Sequence, residues 1–369
     1  MSGEQAVALA LNSGSSSLKY AALDIVADPP AVITEGEVDP AQGAEAFAAI
    51  DHALDRVGAS SPRAVGHRIV HGGPKLLEHC FVDQTVIRHL EEAEPFAPLH
   101  VPAALALLRS AASRYPRAAQ IACFDTAFHA GMPDVARTLP IPRALRQDGL
   151  HRYGFHGLSC ESIVQQLRQE LPRRLIVAHL GNGASVTAIL DGKSIDTSMG
   201  LTPTGGVIMG TRCGDIDPGV IIHLLRQRRC TASELETIVD KQGGMLGISG
   251  MSGDMRRLRA SADDDAVLAI RMFCRSVSKQ IAGMMAAMGG ADCLVFTGGI
   301  GEHDGAVREE ICADLAWAGV YLRDATSLPI VRECRAIVLP SNEAGQIAEH
   351  VRTLFCSARW DDLARTLVH

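Results

Sequence analysis

The sequence lacks several features that would assign it a class at once. No apolar run approaches the ~18 residues of a membrane span. The longest, such as Ala6–Leu11 and Ala103–Leu108, are short. The N-terminus carries Glu4 and no basic n-region, so no secretory signal is expected. Ten cysteines are present, yet no C-x-x-C pair occurs, which excludes zinc-ribbon and thioredoxin-like readings. Without a signal peptide they read as reduced thiols, and the expected compartment is the cytoplasm. Basic residues are not in excess. Lys+Arg is 35 against 42 Asp+Glu, a net charge of −7, which argues against a broad nucleic-acid surface. There is no G-x-x-x-x-G-K-[ST] loop, no G-x-S-x-G elbow and no zinc-like His/Asp/Glu spacing. No linker or low-complexity stretch is visible.

What is present is an ordinary globular composition, 47% hydrophobic and 21% charged over 369 residues. That length suits two domains, or one elaborate one. Glycine is the informative residue. There are 35, about 9% against about 7% in average usage. They crowd between Gly181 and Gly253, where tight turns or close approach to a ligand are expected.

Apolar and polar segments alternate as in an α/β fold. Ala6–Leu11 and Leu18–Ile25 read as strands around the polar turn Asn12–Ser17. A weak echo follows, Leu175–Leu180 and Val186–Leu190 around Gly181–Ser185, which suggests two related halves. Further strands are expected at Ala64–Val70, Ala119–Phe124, Leu294–Thr297 and Ala336–Leu339. Helices are expected at Gln42–Val57, Pro102–Ser113, Asp217–Arg229 and Ala266–Met288, the last closed by Gly289-Gly290. Ser233 and Glu236 have capping-box spacing before Ile238. The expected domain boundary lies near Asp148–Leu150.

Several segments could carry chemistry, and each has a plain structural alternative. The turns at Asn12–Ser17 and Gly181–Ser185 could turn backbone N–H groups toward an anion, or be ordinary hairpins. Thr297-Gly-Gly-Ile-Gly-Glu302 could let a flat purine pack on backbone, or be a tight βα turn. Arg68, in His67-Arg-Ile-Val-His-Gly-Gly73, and Arg212, in Met209-Gly-Thr-Arg-Cys-Gly-Asp215, could clamp a carboxylate or phosphate, or lie on the surface. Asp125 ends an apolar strand, where it could order Mg²⁺ or a nucleophile, or cap a helix.

In order along the chain, these segments resemble the acetate kinase family, with the propionate and butyrate kinases. The match also takes in Asn12-Ser-Gly-Ser-Ser-Ser-Leu-Lys19, Ala97-Pro-Leu-His100, Phe124-Asp-Thr-Ala-Phe-His129 and Tyr153-Gly-Phe-His-Gly157. His179-Leu-Gly-Asn-Gly183, Asp196-Thr-Ser-Met-Gly200 and Ser341-Asn-Glu343 complete it. The resemblance implies two duplicated RNase H-like domains of the actin-like ATPase type, with nucleotide in the cleft between them. Residues 1–150, completed by about 345–369, would form the first domain and 151–344 the second. It implies reversible transfer of the γ-phosphoryl of ATP to acetate, giving acetyl phosphate and ADP, with Mg²⁺ or Mn²⁺, by a homodimer. No nucleic acid or membrane partner is implied.

Roles carry over by matched position. Arg68 and Arg212 match arginines that hold the carboxylate and the transferring phosphoryl group. His156 matches a histidine that stabilises the transition state, and Asp125 the catalytic acidic residue. Val70, Leu99, Phe155 and Pro203 match a small apolar pocket for the substrate methyl. Asn12 and Glu343 match the metal site. Lys19 matches a nucleotide contact, and His179, Leu180, Gly181, Asn182 and Gly183 the phosphate loop. Asp254, Met255 and Arg256, with Gly299, Ile300, Gly301, Glu302 and His303, match the adenosine contacts.

The chain departs from the family pattern at Leu158 and Cys160 (usually Thr and His), at Thr204-Gly-Gly206 (usually Leu-Glu-Gly), at His303 (commonly Asn) and at Ala344 (usually Glu). Two other readings are kept: propionate or butyrate preference, and a non-catalytic actin-like nucleotide-binding protein. Retention of Arg68, His156 and Arg212 argues against the latter.

Overall fold

The computed structural model describes residues 6–13, 18–39, 44–59, 61–98, 100–322 and 333–357. They form two compact units. The first comprises Met1–Ala130, Gly157–Ser162 and Asn342–His369, the second Gly131–His156 and Ile163–Ser341.

The strands of the first unit are β1 (Val7–Ser13), β2 (Leu18–Asp24), β3 (Ala31–Val38), β4 (Ala64–Ile69), β5 (Cys80–Phe81) and β6 (Ala119–Phe124). They form one mixed sheet in the order β3-β2-β1-β4-β6-β5. β1, β2 and β3 are an antiparallel meander, and β4 and β6 run parallel to β1. Side chains alternate faces along a strand, and β1 sorts its residues by size. Val7, Leu9 and Leu11 face Phe47 and Ile50. Ala8 and Ala10 face the other way, against Ile347, Ala348 and Val351 of the helix Glu343–Ser357. Small residues on that face let the helix lie close to the sheet.

The second unit repeats this plan with β7 (Arg174–Leu180), β8 (Ala184–Leu190), β9 (Lys193–Thr197), β10 (Cys293–Thr297), β11 (Val320–Leu322) and β12 (Cys334–Val338). Read from its meander, the sheet runs β9-β8-β7-β10-β12-β11. β7 pairs antiparallel with β8 and parallel with β10, as β1 pairs with β2 and β4. The hairpin echo in the sequence is therefore an echo of whole sheets, in an α/β architecture of the duplicated actin-like type. Only the outer pairs differ: β5 is antiparallel to β6, whereas β11 is parallel to β12.

The helix Asp264–Met288 buries Ile270, Phe273, Val277, Ile281 and Met284 along one stripe. Asp263 caps its start, and Gly289, at φ 67°, closes it. Met284 fills the core, whereas Met272 is exposed. Three local expectations need correction. The capping box lies two residues early: Thr231 and Glu234, not Ser233 and Glu236, close it at the start of Ala232–Asp240. Both pairs have the spacing, but Thr231 leaves the helical path while Ser233 is already inside it. The helix begun at Pro218 ends at His223 and gives way to a π-helical turn, Leu224–Arg228. The first unit ends at Ala130, not near residue 150. Gly131–His156 packs with the second unit because Arg152 Nη1 donates to the carbonyls of Thr197 and Ser198, and Tyr153 N–H to that of Gly200.

Among the described residues no helix is long and apolar enough to cross a membrane.

Candidate active site

In the first unit, β1, β4 and β6 are adjacent and parallel, so their C-terminal ends lie along one edge of the sheet. In open α/β sheets this edge is where ligands bind. The register places Leu11 beside His67 and Arg68 beside Cys123, which brings Asn12, Arg68 and Asp125 to that edge. Arg68 is the hub. Its Nε and Nη2 donate to Asp125 Oδ2 at 2.9 and 2.6 Å, and its Nη1 donates to Asn12 Oδ1 at 2.9 Å. Asn12 Nδ2 in turn donates to Glu343 Oε2 at 2.6 Å, and that oxygen lies 3.8 Å from Arg68 Nη1. Of the five N–H groups of a guanidinium, these bonds leave one on each terminal nitrogen for a ligand.

The electrostatics follow from burial. Asp125 is 1% exposed, and burial pushes its carboxyl up to about 6, with Arg68 pulling the other way. Burial also opposes the charge on Arg68, but Asp125 and Glu343 outweigh it and hold the guanidinium firmly protonated. Both Asp125 oxygens accept from Arg68, so its structural work is to aim that guanidinium.

The second unit gathers a separate set. His156 sits at the start of the helix Gly157–Gln166 with a left-handed backbone, φ 58°. That conformation is costly for a residue with a Cβ. Gly157, next in the chain, takes its place because its N–H donates to the Asp125 carbonyl at 2.8 Å. A Cβ there would meet that oxygen at 2.3 Å. The His156 ring stacks on His179, with centroids 4.2 Å apart, and its Nδ1 is 3.0 Å from Ser185 Oγ. His179 and Ser185 are cross-strand partners on the β7–β8 hairpin. The turn of that hairpin, 181–183, is fixed by Gly181 N–H donating to the Gly183 carbonyl and Gly210 N–H to that of Asn182.

Arg212 reaches the same turn, with Nη1 donating to the Pro203 carbonyl at 3.3 Å. A Cβ on Gly183 would stand 3.1 Å from Arg212 Nη1 and 3.4 Å from His156 Nε2. The guanidinium and the imidazole therefore converge over a glycine turn. Such a place suits an anion with several oxygens.

The segments matched to adenosine also lie in this unit. Asp254 caps the short helix Met255–Arg259 and pairs with the exposed Arg256 at 2.7 Å. Arg259 Nε donates to Asp304 Oδ2 at 2.6 Å, which ties that helix to the start of Gly305–Asp314. Met255 and Gly301 are buried, Ile300 is half-buried, and Gly299 and His303 are exposed. Glu302 Oε1 accepts from Gly298 N–H at 2.9 Å and from Ser341 N–H at 3.0 Å, so it braces its own loop.

Lys19 is exposed on β2, directly across the hairpin from Asn12. Val70 is half-buried in the first unit, whereas Phe155 and Pro203 are buried in the second, and Leu99 falls outside the described residues. The buried Ser185 was not singled out from the sequence. It ends the Gly181–Ser185 segment and lies on β8, but nothing in the spacing says which imidazole it faces. Leu158 and Cys160 are buried at the start of their helix, Leu158 in the first unit's core.

The Acetokinase family model matches residues 35–353. The chain belongs to the acetokinase family. It is 38% identical to an acetate kinase of Rhodopseudomonas palustris over 94% of its own length and 97% of that protein. It is 45% identical to an acetate kinase of Thermosynechococcus vestitus over 75% of this chain and 68% of the relative. Among solved structures it resembles the Porphyromonas gingivalis acetate kinase, with a TM-score of 0.83, 33% identity, and coverage of 95% and 100%. A propionate kinase from Francisella tularensis is similar at TM-score 0.82 and 32% identity, with coverage of 94% and 98%.

Proposed function

We propose that this acetokinase-family chain catalyses reversible transfer of the γ-phosphoryl group of ATP to acetate. The observation that carries the site assignment is the convergence of Arg212 Nη1 and His156 Nε2 over Gly183 in the glycine turn of β7–β8. Acetate is already a carboxylate at pH 7, its pKa lying near that of any carboxyl at ~4. It therefore needs no general base. A carboxylate oxygen attacks the γ-phosphorus, the new O–P bond forms, and the bond from that phosphorus to the bridging oxygen of ADP breaks. Negative charge spreads over the three equatorial oxygens during transfer. Arg212 and His156 supply donors aimed at such oxygens, the form of stabilisation that gains most in a preorganised site.

Arg68 would hold the acetate carboxylate through its two remaining N–H groups, with Asp125 and Asn12 fixing its direction. Asp125 is thus a positioning group, not a proton acceptor. Val70, Leu99, Phe155 and Pro203 are proposed to line the methyl site, and Lys19 with the turn 179–183 to contact the phosphates. Asp254–Arg256 and Gly299–His303 are proposed to meet adenosine. The oxygen donors of Asn12, Asp125 and Glu343, gathered within hydrogen-bond reach of one another or of Arg68, suit a hard cation such as Mg²⁺, which is typically held by one or two carboxylates plus substrate phosphates. Bound there, Mg²⁺ would neutralise charge on the β- and γ-phosphates.

A hydroxamate assay with ATP, Mg²⁺ and acetate tests the reaction, and absence of product from any short carboxylate would overturn it. Propionate in the same assay tests acyl choice, since a methylene is worth only ~1–3 kcal/mol in an apolar pocket. The likeness to a propionate kinase is the reason to include it.

A further inference from the structure

Behind the Arg68 cluster, in the same unit, three side chains meet that no motif above includes. His350 Nε2 is 2.7 Å from Glu161 Oε2, and His79 Nε2 is 3.6 Å from Glu161 Oε1. The two imidazoles lie against each other with centroids 3.8 Å apart. Two histidines and a carboxylate within 4.8 Å could suit a transition metal. One bond argues against that. Phe124 N–H donates to His79 Nδ1 at 3.0 Å, so Nδ1 presents a lone pair and the neutral ring carries its proton on Nε2. A metal would need the lone pair where that proton is. A metal-bound histidine normally donates from its other nitrogen, and here that nitrogen accepts.

We propose that His79, Glu161 and His350 form a brace, a hydrogen bond between His350 and Glu161 and a ring contact between His350 and His79, that positions Asp125 and Glu343, the two carboxylates flanking Arg68. Each member is attached to an element carrying one of them. His79 holds the amide of Phe124, the residue before Asp125. Glu161 stands in the first turns of Gly157–Gln166, whose first N–H holds the Asp125 carbonyl. His350 lies two turns beyond Glu343 on the same helix. A parallel tie runs one residue away: Asn342 N–H donates to Ser162 Oγ at 3.2 Å. Glu161 is thus the common point through which the Glu343 helix and the end of β6 are fixed to each other. Burial alone would raise the Glu161 carboxyl, but the hydrogen bond from His350 and the nearby His79 ring outweigh it and hold it at about 2. It therefore stays an acceptor for His350 at neutral pH, with the His79 ring 3.6 Å from its other oxygen.

This inference rests on the proposed roles of Asp125 and Glu343, so the test carries both. The variants are Glu161→Gln, His350→Leu, His350→Gln, Asp125→Asn and Glu343→Gln in the full chain. Glutamine at 350 can place an amide nitrogen near the position of Nε2, and leucine cannot. The readouts are kcat, KM for acetate, Mn²⁺ binding to the ADP complex by EPR, and amide exchange in the peptide containing Phe124. Glu161→Gln and His350→Leu are expected to lower kcat about tenfold and weaken Mn²⁺ binding at least about threefold, with acetate KM little changed and faster exchange at Phe124. His350→Gln is expected to recover to within about threefold of wild type. Wild-type kcat and Mn²⁺ affinity in both Glu161→Gln and His350→Leu, while Asp125→Asn and Glu343→Gln are inactive, overturns the brace alone. Full activity in Asp125→Asn and Glu343→Gln overturns the site reading beneath it. One equivalent of Zn²⁺ that survives EDTA and is lost in His350→Leu would replace the brace with a metal site.

Discussion

Replacing Gly183 by alanine separates site geometry from fold. The backbone at Gly183 is not in the left-handed region, so alanine adds no conformational strain there. The added methyl would stand 3.1 Å from Arg212 Nη1 and 3.4 Å from His156 Nε2, tighter than ordinary carbon contacts. One or both donors must move by a few tenths of an ångström, and the methyl takes space an anion would use. Losing one charge-assisted hydrogen bond costs about 1.5–3 kcal/mol. If that bond exists only in the transition state, kcat falls about 10- to 150-fold. Hydroxamate formation under saturating ATP and acetate gives kcat directly. Thermal unfolding of Gly183→Ala should match wild type, because nothing in the core changes. A kcat within about twofold of wild type, with the protein folded, would refute the claim that these two donors act over this turn.

Arg212→Ala is expected to lower kcat far more than it weakens ATP binding measured by calorimetry, and equal losses would indicate a nucleotide anchor instead. Ser185→Ala leaves the His156 ring stacked on His179 but without the hydroxyl that fixes it, so kcat should fall about tenfold with acetate KM little changed, and an unaltered kcat would remove Ser185 from the site. Asp125→Asn should lose activity together with ordered placement of Arg68; loss of turnover with intact Mg²⁺ affinity and intact geometry in a crystal structure would contradict a positioning role. His67 gives an acid-stability prediction. Burial lowers its pKa from 6.5 to about 4, with Gln120 opposing, so the stability tied to its neutral form is complete above pH 6.5 and lost as pH falls from 6.5 toward 4. The loss is about 2 kcal/mol by pH 5 and about 3 kcal/mol below pH 4. Urea unfolding should show the gap between wild type and His67→Leu narrowing by that amount over this range, and parallel pH profiles would refute it.

The sheet plan was legible because hydrophobic strands of the expected length recur with the same turn chemistry in both halves. The strand at Leu294 needed no tertiary information, being an apolar run buried on both faces, and those at Ala64 and Ala119 stay largely buried although His67, Arg68 and Gln120 interrupt them. The capping box was misplaced because two overlapping Ser/Thr–Glu pairs share one spacing, and only the backbone path chooses between them. The unit boundary was misplaced because Arg152 binds distant carbonyls of residues 197–199, which no local pattern announces. At the site, the arginines stood out by their glycine surroundings. Ser185 and the His79–Glu161–His350 group did not, since their partners come from strands and helices far apart in sequence.

The helix Glu343–Ser357 gives the chain a particular order of assembly. Ile347, Ala348 and Val351 cover the alanine face of the first sheet, yet they are made after the whole second unit. On the ribosome, β1, β2, β4 and β6 emerge early and wait with that face open. Exposed apolar sheet is where partly made chains associate wrongly. The second unit, by contrast, is complete by Ser341 and can close first. Glu343 arrives with the same late helix, so its carboxylate reaches Asn12 only when the first sheet is covered. One late helix therefore seals the oldest part of the molecule and finishes its charged cluster in one step.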